Sequence, residues 1–316
     1  MGFRGEQGKA PQRVVLVSGG VGGARLARGL NEVLSPEGLT IVVNVGDDLN
    51  SYGLEVSPDL DSVLYTMAGI EGPHGWGVAG DTSTAMEALS AAGLDTRFMI
   101  GDMDLMTNLI RTQALGRGET LSQITDGIAR GLGIEARVLP ATDDPVRTKV
   151  ATDSGEWLDF QEYFVIRASR DNVTELRFEG AEKAAAAPGV LDAIAAADAV
   201  VIAPSNPPLS IWPVLAVPGI RSAVEAARRV MAVSPLFGGE ALKGPAHRVM
   251  ASLGLPAGNQ GVVAAYQGLL SDLVIDAGDG ADRDSLSDQV KVHVTDTRMA
   301  DLAASARLAQ AVLEIL

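Results

Sequence analysis

The stretch Arg13-Val14-Val15-Leu16-Val17-Ser18-Gly19-Gly20-Val21-Gly22-Gly23-Ala24-Arg25 decides the fold. Its apolar, β-branched half is too short to span a membrane and reads as a strand buried on both faces. The run stops at a glycine cluster, after which Leu26, Leu30, Val33 and Leu34 return at helical spacing. Strand, glycine turn and helix open a βαβ unit, and the first N–H groups of such a helix lack intrahelical partners, which suits an anion. Glycines at the turn let a phosphate approach the backbone without meeting a Cβ. The loop lacks the Gly-Lys-Ser/Thr ending of a P-loop. Gly20-Val21-Gly22-Gly23-Ala24-Arg25 also puts an arginine where the third glycine of a dinucleotide fingerprint packs. A cation at that point suits concentrated phosphate charge.

Working outward, Leu39-Thr40-Ile41-Val42-Val43-Asn44-Val45 predicts a second buried strand that ends in Gly46-Asp47-Asp48. Ligands of α/β sheets gather beyond the carboxyl ends of parallel strands, which brings these aspartates toward the glycine loop. Ser57-Pro58-Asp59-Leu60-Asp61 predicts a helix start, with Ser57 as N-cap, Pro58 in the first turn and acids beside the positive dipole end. A glycine-rich connection over 72–82 carries a single aromatic, Trp76, and reads as a covering loop. A helix follows around Met86, and Arg97-Phe98-Met99-Ile100 predicts a third strand. Helices over 105–115 and 121–132 come next, and short alternating runs at 137–140, 147–152, 156–168 and 174–178 predict an antiparallel region.

Parallel character resumes with a helix at 189–197 and strands at 199–203 and 230–234. These strands empty into Pro204-Ser205-Asn206-Pro207 and into a glycine-bearing turn from Ser234 to Gly244 that offers Lys243. Residues 13–101 and 188–316 are expected to form one α/β core, with 102–187 as an inserted cap of α+β character and 1–12 as a flexible N-terminus.

At 316 residues and 47% hydrophobic content the chain has ample material for a core, and only 4% aromatic residues make that core aliphatic. A net charge of −15 excludes a nucleic-acid partner, because phosphate backbones require a basic footprint. Without cysteine there is no disulfide framework, thiolate nucleophile or cysteine metal site. No run is long enough to cross a bilayer, and the first residues lack the apolar stretch of a secretory signal. A cytoplasmic protein with no membrane partner is expected. His74, His247 and His293 are scattered without metal-ligand spacing, and no Gly-x-Ser-x-Gly elbow appears. Carboxylates remain: Asp47, Asp48, Asp59 and Asp61 occupy two consecutive elements at the expected ligand edge. Such oxygen-rich clusters suit Mg²⁺, which takes one or two carboxylates plus substrate phosphate oxygens. An anion-binding loop beside carboxylates of this kind is what phosphoryl transfer needs.

Six stretches together resemble the CofD family: 18–25, 43–48, 56–66, the Gly75-Trp76-Gly77 and Gly80-Asp81-Thr82 loop, 100–104, and Ala203-Pro204-Ser205-Asn206-Pro207. The resemblance implies a Rossmann-like fold, usually as a homodimer, and one reaction of coenzyme F-420 biosynthesis. A phospholactyl or phosphoenolpyruvyl group passes from a guanosine diphosphate conjugate to the terminal ribityl hydroxyl of the deazaflavin Fo, GMP leaves, and Mg²⁺ is required. Carried over by position, Gly20, Val21, Gly22, Gly23 and Arg25 face the diphosphate. Ser205, Asn206 and Ser234 hold the guanosine, and Met86 with the 75–82 loop borders the deazaflavin. Asp48 and Asp61 are the expected catalytic and metal-binding pair, with Asp47 and Asp59 beside them as alternative metal ligands. Two rival readings are a nucleotide- or nucleotide-sugar-binding regulator of the YvcK type and an NAD-dependent oxidoreductase with Asp47 or Asp48 on the ribose.

Overall fold

The structure is a computed structural model and describes residues 12–242 and 244–316. The expectations for residues 1–11 and for Lys243 lie outside the described residues. Strand β1 (Val14–Ser18) leads through Gly19 into α1 (Gly20–Val33) and β2 (Leu39–Val43). A small hairpin, β3 (Leu49–Ser51) and β4 (Leu54–Val56), precedes α2 (Pro58–Ala68), α3 (Thr84–Ala91), α4 (Asp102–Gly116) and α5 (Leu121–Gly131). Then come β5 (Arg137–Pro140), β6 (Arg147–Thr152), β7 (Trp157–Asp159) and β8 (Val173–Glu179). The second half brings α6 (Val190–Ala196), β9 (Ala199–Ile202), α7 (Trp212–Ala216), α8 (Ile220–Glu225) and β10 (Val230–Val233). It continues with β11 (Leu236–Phe237), β12 (Glu240–Ala241), α9 (Ala246–Ser252), α10 (Gly258–Tyr266) and β13 (Asp272–Asp276). The last elements are α11 (Arg283–Leu286), β14 (Lys291–Thr295) and α12 (Leu302–Ile315).

Seven strands form one parallel sheet in the order β14-β13-β10-β9-β1-β2-β5. Every residue of β1, β9, β10 and β13 is buried. Consecutive side chains point to opposite faces, so burial without alternation means that helices cover both. The expected α/β architecture with a Rossmann-like parallel sheet is therefore present. Counted as successive sheet strands the order is 3-2-1-4-5-6-7, the doubly wound pattern, and it reverses between β1 and β9.

Two local expectations differ from the structure. Arg97–Ile100 forms no strand: Ile100 is buried against Val56 and Met86, while Met99 is exposed at the cleft described below. The third sheet position belongs to β5, paired in parallel with β2 through Thr40↔Arg137 to Val43↔Pro140. That strand lies inside the stretch expected to be the cap. Of the 156–168 run only β7 is extended, and a helical turn over Glu162–Ile166 follows. The antiparallel three-stranded sheet β7-β6-β8 is otherwise as expected.

Helix α12 packs back along α1, and the approach is close because residue 29 is glycine. A Cβ there would stand 2.3 Å from the Ser305 carbonyl oxygen.

Candidate active site

Where the strand order reverses, the loop after β1 and the loop after β9 border one cleft of about 640 Å³, lined by Gly19, Gly20, Val21, Gly22, Arg25, Pro204, Ser205 and Asn206 among others. Gly20 adopts φ 65°, a left-handed conformation that favours glycine, and its N–H donates to Asp59 Oδ1 at 2.7 Å. Ser205 clamps the turn by donating its hydroxyl to the Gly19 carbonyl at 2.6 Å. A Cβ on Gly22 would lie 2.4 Å from the Pro204 carbonyl oxygen, and one on Gly23 would lie 2.2 Å from Ser18 Oγ. Gly23 is buried and does not line the cleft, contrary to its expected role at the diphosphate. These two glycines supply the helix–strand closeness that a third fingerprint glycine would give. Gly22→Ala is expected to force the two loops apart, costing about 1–3 kcal/mol of stability; urea unfolding checks it. Arg25 lines the cleft and donates Nη1–H to the Met299 carbonyl at 2.9 Å.

The four aspartates converge from the β2 carboxyl end and the first turn of α2, but as two pairs. Asn44 is the hub of one, its amide donating to Asp47 Oδ1 at 2.8 Å and to Asp59 Oδ2 at 3.0 Å while its own oxygen accepts from Gly46 N–H at 2.8 Å. Burial pushes Asp47 well above the usual carboxylate range, and the neighbouring charge of Asp59 adds to this. Burial likewise pushes Asp59 up to about 6, against the pull of the Asn44 amide and Gly20 N–H. In the other pair, Asp48 accepts the Ser57 hydroxyl at 2.8 Å. Ser57 stands at the N-cap position of α2 as expected, yet its side chain serves this carboxylate and makes no cap bond. Burial carries Asp48 up to about 7, opposed by Arg147 and the Ser57 hydroxyl. Asp61 is engaged by the guanidinium of Arg111 on α4, a buried ion pair that neither helix could form alone.

Asp47, Asp59 and Asp61 line the larger cleft, whereas Asp47 and Asp48 line a neighbouring one of about 430 Å³ with Asn50, Tyr52, Arg147, Thr148 and Gln161. Among the described residues no three of His, Cys, Asp and Glu are grouped so as to hold a metal ion. Asp48 and Asp61, the expected metal-binding pair, stand apart: Asp61 is held by Arg111, and Asp48 faces the second cleft. Ser234 also departs from its expected role, since it is fully buried and donates to Asn259 Oδ1 at 2.6 Å, away from the cleft lining. Met86 is buried against Val56 and Ile100, while Trp76 and Gly77 of the covering loop do reach the cleft.

The sequence reading missed Asn44, Arg111, Thr148 and the pair Tyr65–Asp104. The Tyr65 hydroxyl donates to Asp104 Oδ1 at 2.7 Å, and burial, with the charge of Asp61, lifts Asp104 to about 6. Two further aspartates brace this wall reciprocally. Asp102 accepts from Thr84 and Ala85 N–H at the start of α3, and Asp81 accepts from Met103 and Asp104 N–H at the start of α4.

The family model described as 2-phospho-L-lactate transferase CofD matches residues 14–312. The chain belongs to the CofD family. It is 38% identical over 311 residues to the phosphoenolpyruvate transferase of Streptomyces griseus subsp. griseus, covering 96% of this chain and 98% of that protein. It is 40% identical over 307 residues to the 2-phospho-L-lactate transferase of Methanopyrus kandleri, covering 96% and 97%. Among solved structures, a member of the UPF0052 family from Bacillus halodurans superposes with a TM-score of 0.62 at 17% identity, covering 96% of this chain and 99% of that one, a likeness of fold.

Membership in the CofD family makes the chain a transferase. The geometry places a glycine turn, the Arg25 cation and carboxylates raised by burial along one cleft system. Asp47 and Asp59 share the Asn44 amide, and the Asp59 charge raises Asp47; this carboxylate pair fits a divalent cation completed by substrate phosphate oxygens. No helix among the described residues is long and apolar enough to cross a membrane.

Proposed function

We propose that this chain transfers a phospholactyl or phosphoenolpyruvyl group from a guanosine diphosphate conjugate to the terminal ribityl hydroxyl of the deazaflavin Fo. GMP is released, giving coenzyme F-420-0 or its dehydro form. The observation that carries this reading is the placement of Asp48, a buried carboxylate poised at about 7, one residue from Asp47, which borders both the second cleft and the cleft of the glycine loop. The names of the curated relatives support the class of group that moves.

In this mechanism Gly20 to Gly22 and Arg25 hold the diphosphate, and Ser205 and Asn206 stand toward the guanosine. The acceptor hydroxyl attacks the distal phosphorus. Its oxygen forms the new O–P bond, the bond to the GMP oxygen breaks with its electron pair, and the hydroxyl proton passes to Asp48. A base near neutrality suits this task, being ionised often enough to accept the proton while basic enough to draw it. Asp47 and Asp59 would hold Mg²⁺, which would neutralise charge on the transferring group. Arg111 keeps Asp61 fixed at the wall. The reading includes a homodimer working in the cytoplasm.

The deciding experiment incubates the full chain with Fo and, separately, the guanosine diphosphate conjugates of lactate, enolpyruvate and glycerate. Product is followed by mass and deazaflavin fluorescence. Transfer from one conjugate is expected, lost on chelation of divalent cations and restored by Mg²⁺. Absence of transfer, with tight binding of NAD or a nucleotide sugar instead, overturns the reading.

A further inference from the structure

Backbone strain gathers at one place in the chain. Among the described residues four non-glycine residues have positive φ, and only Ala168 (φ 50°) and Ser169 (φ 52°) are neighbours in sequence. L-residues with a Cβ visit this left-handed region one at a time, and a strained pair persists only where its surroundings over-determine it. Ser169 N–H donates to the Tyr163 carbonyl at 2.9 Å, which closes the pair back onto the helical turn over Glu162–Ile166. From α9, Arg248 Nη2–H donates to the Ser169 carbonyl at 2.7 Å and to the Arg170 carbonyl at 3.3 Å. A planar guanidinium on two successive carbonyls fixes the peptide between them. The turn ahead of the pair is cleft wall. Phe164 and Val165, 38% and 40% exposed, line the cleft of the glycine loop. Phe160 and Gln161 line both clefts, Phe164 stacks on Phe160 with ring centroids 5.3 Å apart, and Gln161 Nε2–H donates to the Asp47 carbonyl at 3.1 Å. Pro245 and Ala246, at the head of α9, line the cleft of the glycine loop as well. One short helix therefore borders that cleft with its first residues and secures the strained pair behind Phe164 with Arg248.

We infer that Arg248 is a positioning residue for the acceptor substrate, a latch that keeps the strained pair closed and so holds Phe164 and Val165 against the cleft. Without the latch, Ala168 and Ser169 relax toward negative φ and carry the end of the turn with them. The acceptor is the substrate concerned. Phe160, Phe164 and Val165 give an anionic donor neither charge nor hydrogen bond, whereas they give a ring-bearing alcohol flat apolar surface. Arg248 touches no substrate and acts through the backbone of residues 168–170. The assignment to the acceptor rests on the transferase reading above; the latch itself rests on the backbone geometry alone.

The test compares the full-length wild type with Arg248→Met, Arg248→Lys and the double variant Arg248→Met/Ala168→Gly. An acceptor that needs the turn in place binds more weakly by the fraction of molecules still holding it, so Arg248→Met is expected to raise KM for Fo about tenfold. The donor KM and kcat should stay within about twofold, because molecules that hold the turn react as before. Ala168 is exposed, so glycine there removes strain and no packing. The double variant is expected to return the Fo KM to within about threefold of the wild type. Arg248→Lys keeps the charge without the planar fork and should fall between. Hydrogen exchange of the ligand-free protein reads the latch without turnover: the Ser169 amide should exchange about tenfold faster in Arg248→Met and slow again in the double variant. An unchanged Ser169 exchange rate, or an unchanged Fo KM, in Arg248→Met overturns the inference. Full recovery by lysine with none by glycine also overturns it, by making Arg248 a charge that acts on a ligand. If the wild type transfers nothing to Fo, the transferase reading and the acceptor assignment fall, while exchange at Ser169 still decides the latch.

Discussion

Asp48→Asn is expected to abolish transfer and, in metal-free protein at pH 8, to make the fold more stable than the wild type. Loss of activity follows from loss of the proton acceptor, a contribution of about 10²–10⁴ in rate for a positioned base. The stability gain follows from linkage. Burial raises the folded-state pKa of Asp48 from the ordinary carboxylate value of 3.8 to about 7. Between those values the native state binds a proton that the unfolded chain does not, so the neutral carboxyl's contribution is fully present below about pH 4 and is lost as pH rises through about 7. Asparagine keeps the neutral form at every pH. The advantage of the variant should therefore vanish near pH 4 and reach the order of 4 kcal/mol at pH 8. Urea unfolding at the two pH values measures it. A variant less stable than the wild type at pH 8 would contradict the placement of an ionised carboxylate in this wall.

Arg111→Met is expected to be the most destabilising single change among the residues of the site. Arg111 is 1% exposed and its guanidinium serves both Asp61 and, at 2.8 Å, Asn108 Oδ1. Removing one partner of a buried ion pair leaves the other charge desolvated and uncompensated, at a cost of about 3–5 kcal/mol. For a chain of 316 residues that corresponds to a fall of about 5–8 °C in thermal midpoint. Adding Asp61→Asn to the variant should restore much of the stability, because an amide has no charge to strand, while transfer stays lost. A double-mutant cycle reads the coupling directly. A double-variant loss equal to the sum of the two single-variant losses would show the two side chains to be energetically independent.

The core of the fold was legible because β1, β2, β9 and β10 are continuous apolar runs bounded by glycine, proline or serine, a signal that needs no partner to be read. What failed was non-local or inverted. Strand β5 is only four residues long, and its place beside β2 rests on pairing with residues almost a hundred positions earlier. Arg97–Ile100 is apolar as a strand would be, yet it serves as cleft wall rather than ladder. Helix α4 hid Arg111 by reversing the usual pattern. Its buried face holds Thr107, Asn108 and Arg111, while Met103, Met106, Leu109 and Ile110 are exposed. A periodicity reading assigns such an arginine to solvent. The aspartates were found because they follow a strand end and a helix start. Their division between two clefts depended on Asn44, Ser57 and Arg111, whose side chains act across 3 to 50 residues of sequence.

The packing of α12 on α1 bears on how the protein comes to exist. Helix α1, which carries the glycine turn, is made well before its partner surface on α12 and the Met299 carbonyl that takes Arg25, the latter some 274 residues later. Domains collapse as units during synthesis, and long-range contacts of this kind form late. Until α12 is made, α1 carries an unburied apolar stripe. The border of the cleft at Arg25 is thus assembled only once that distant partner is in place.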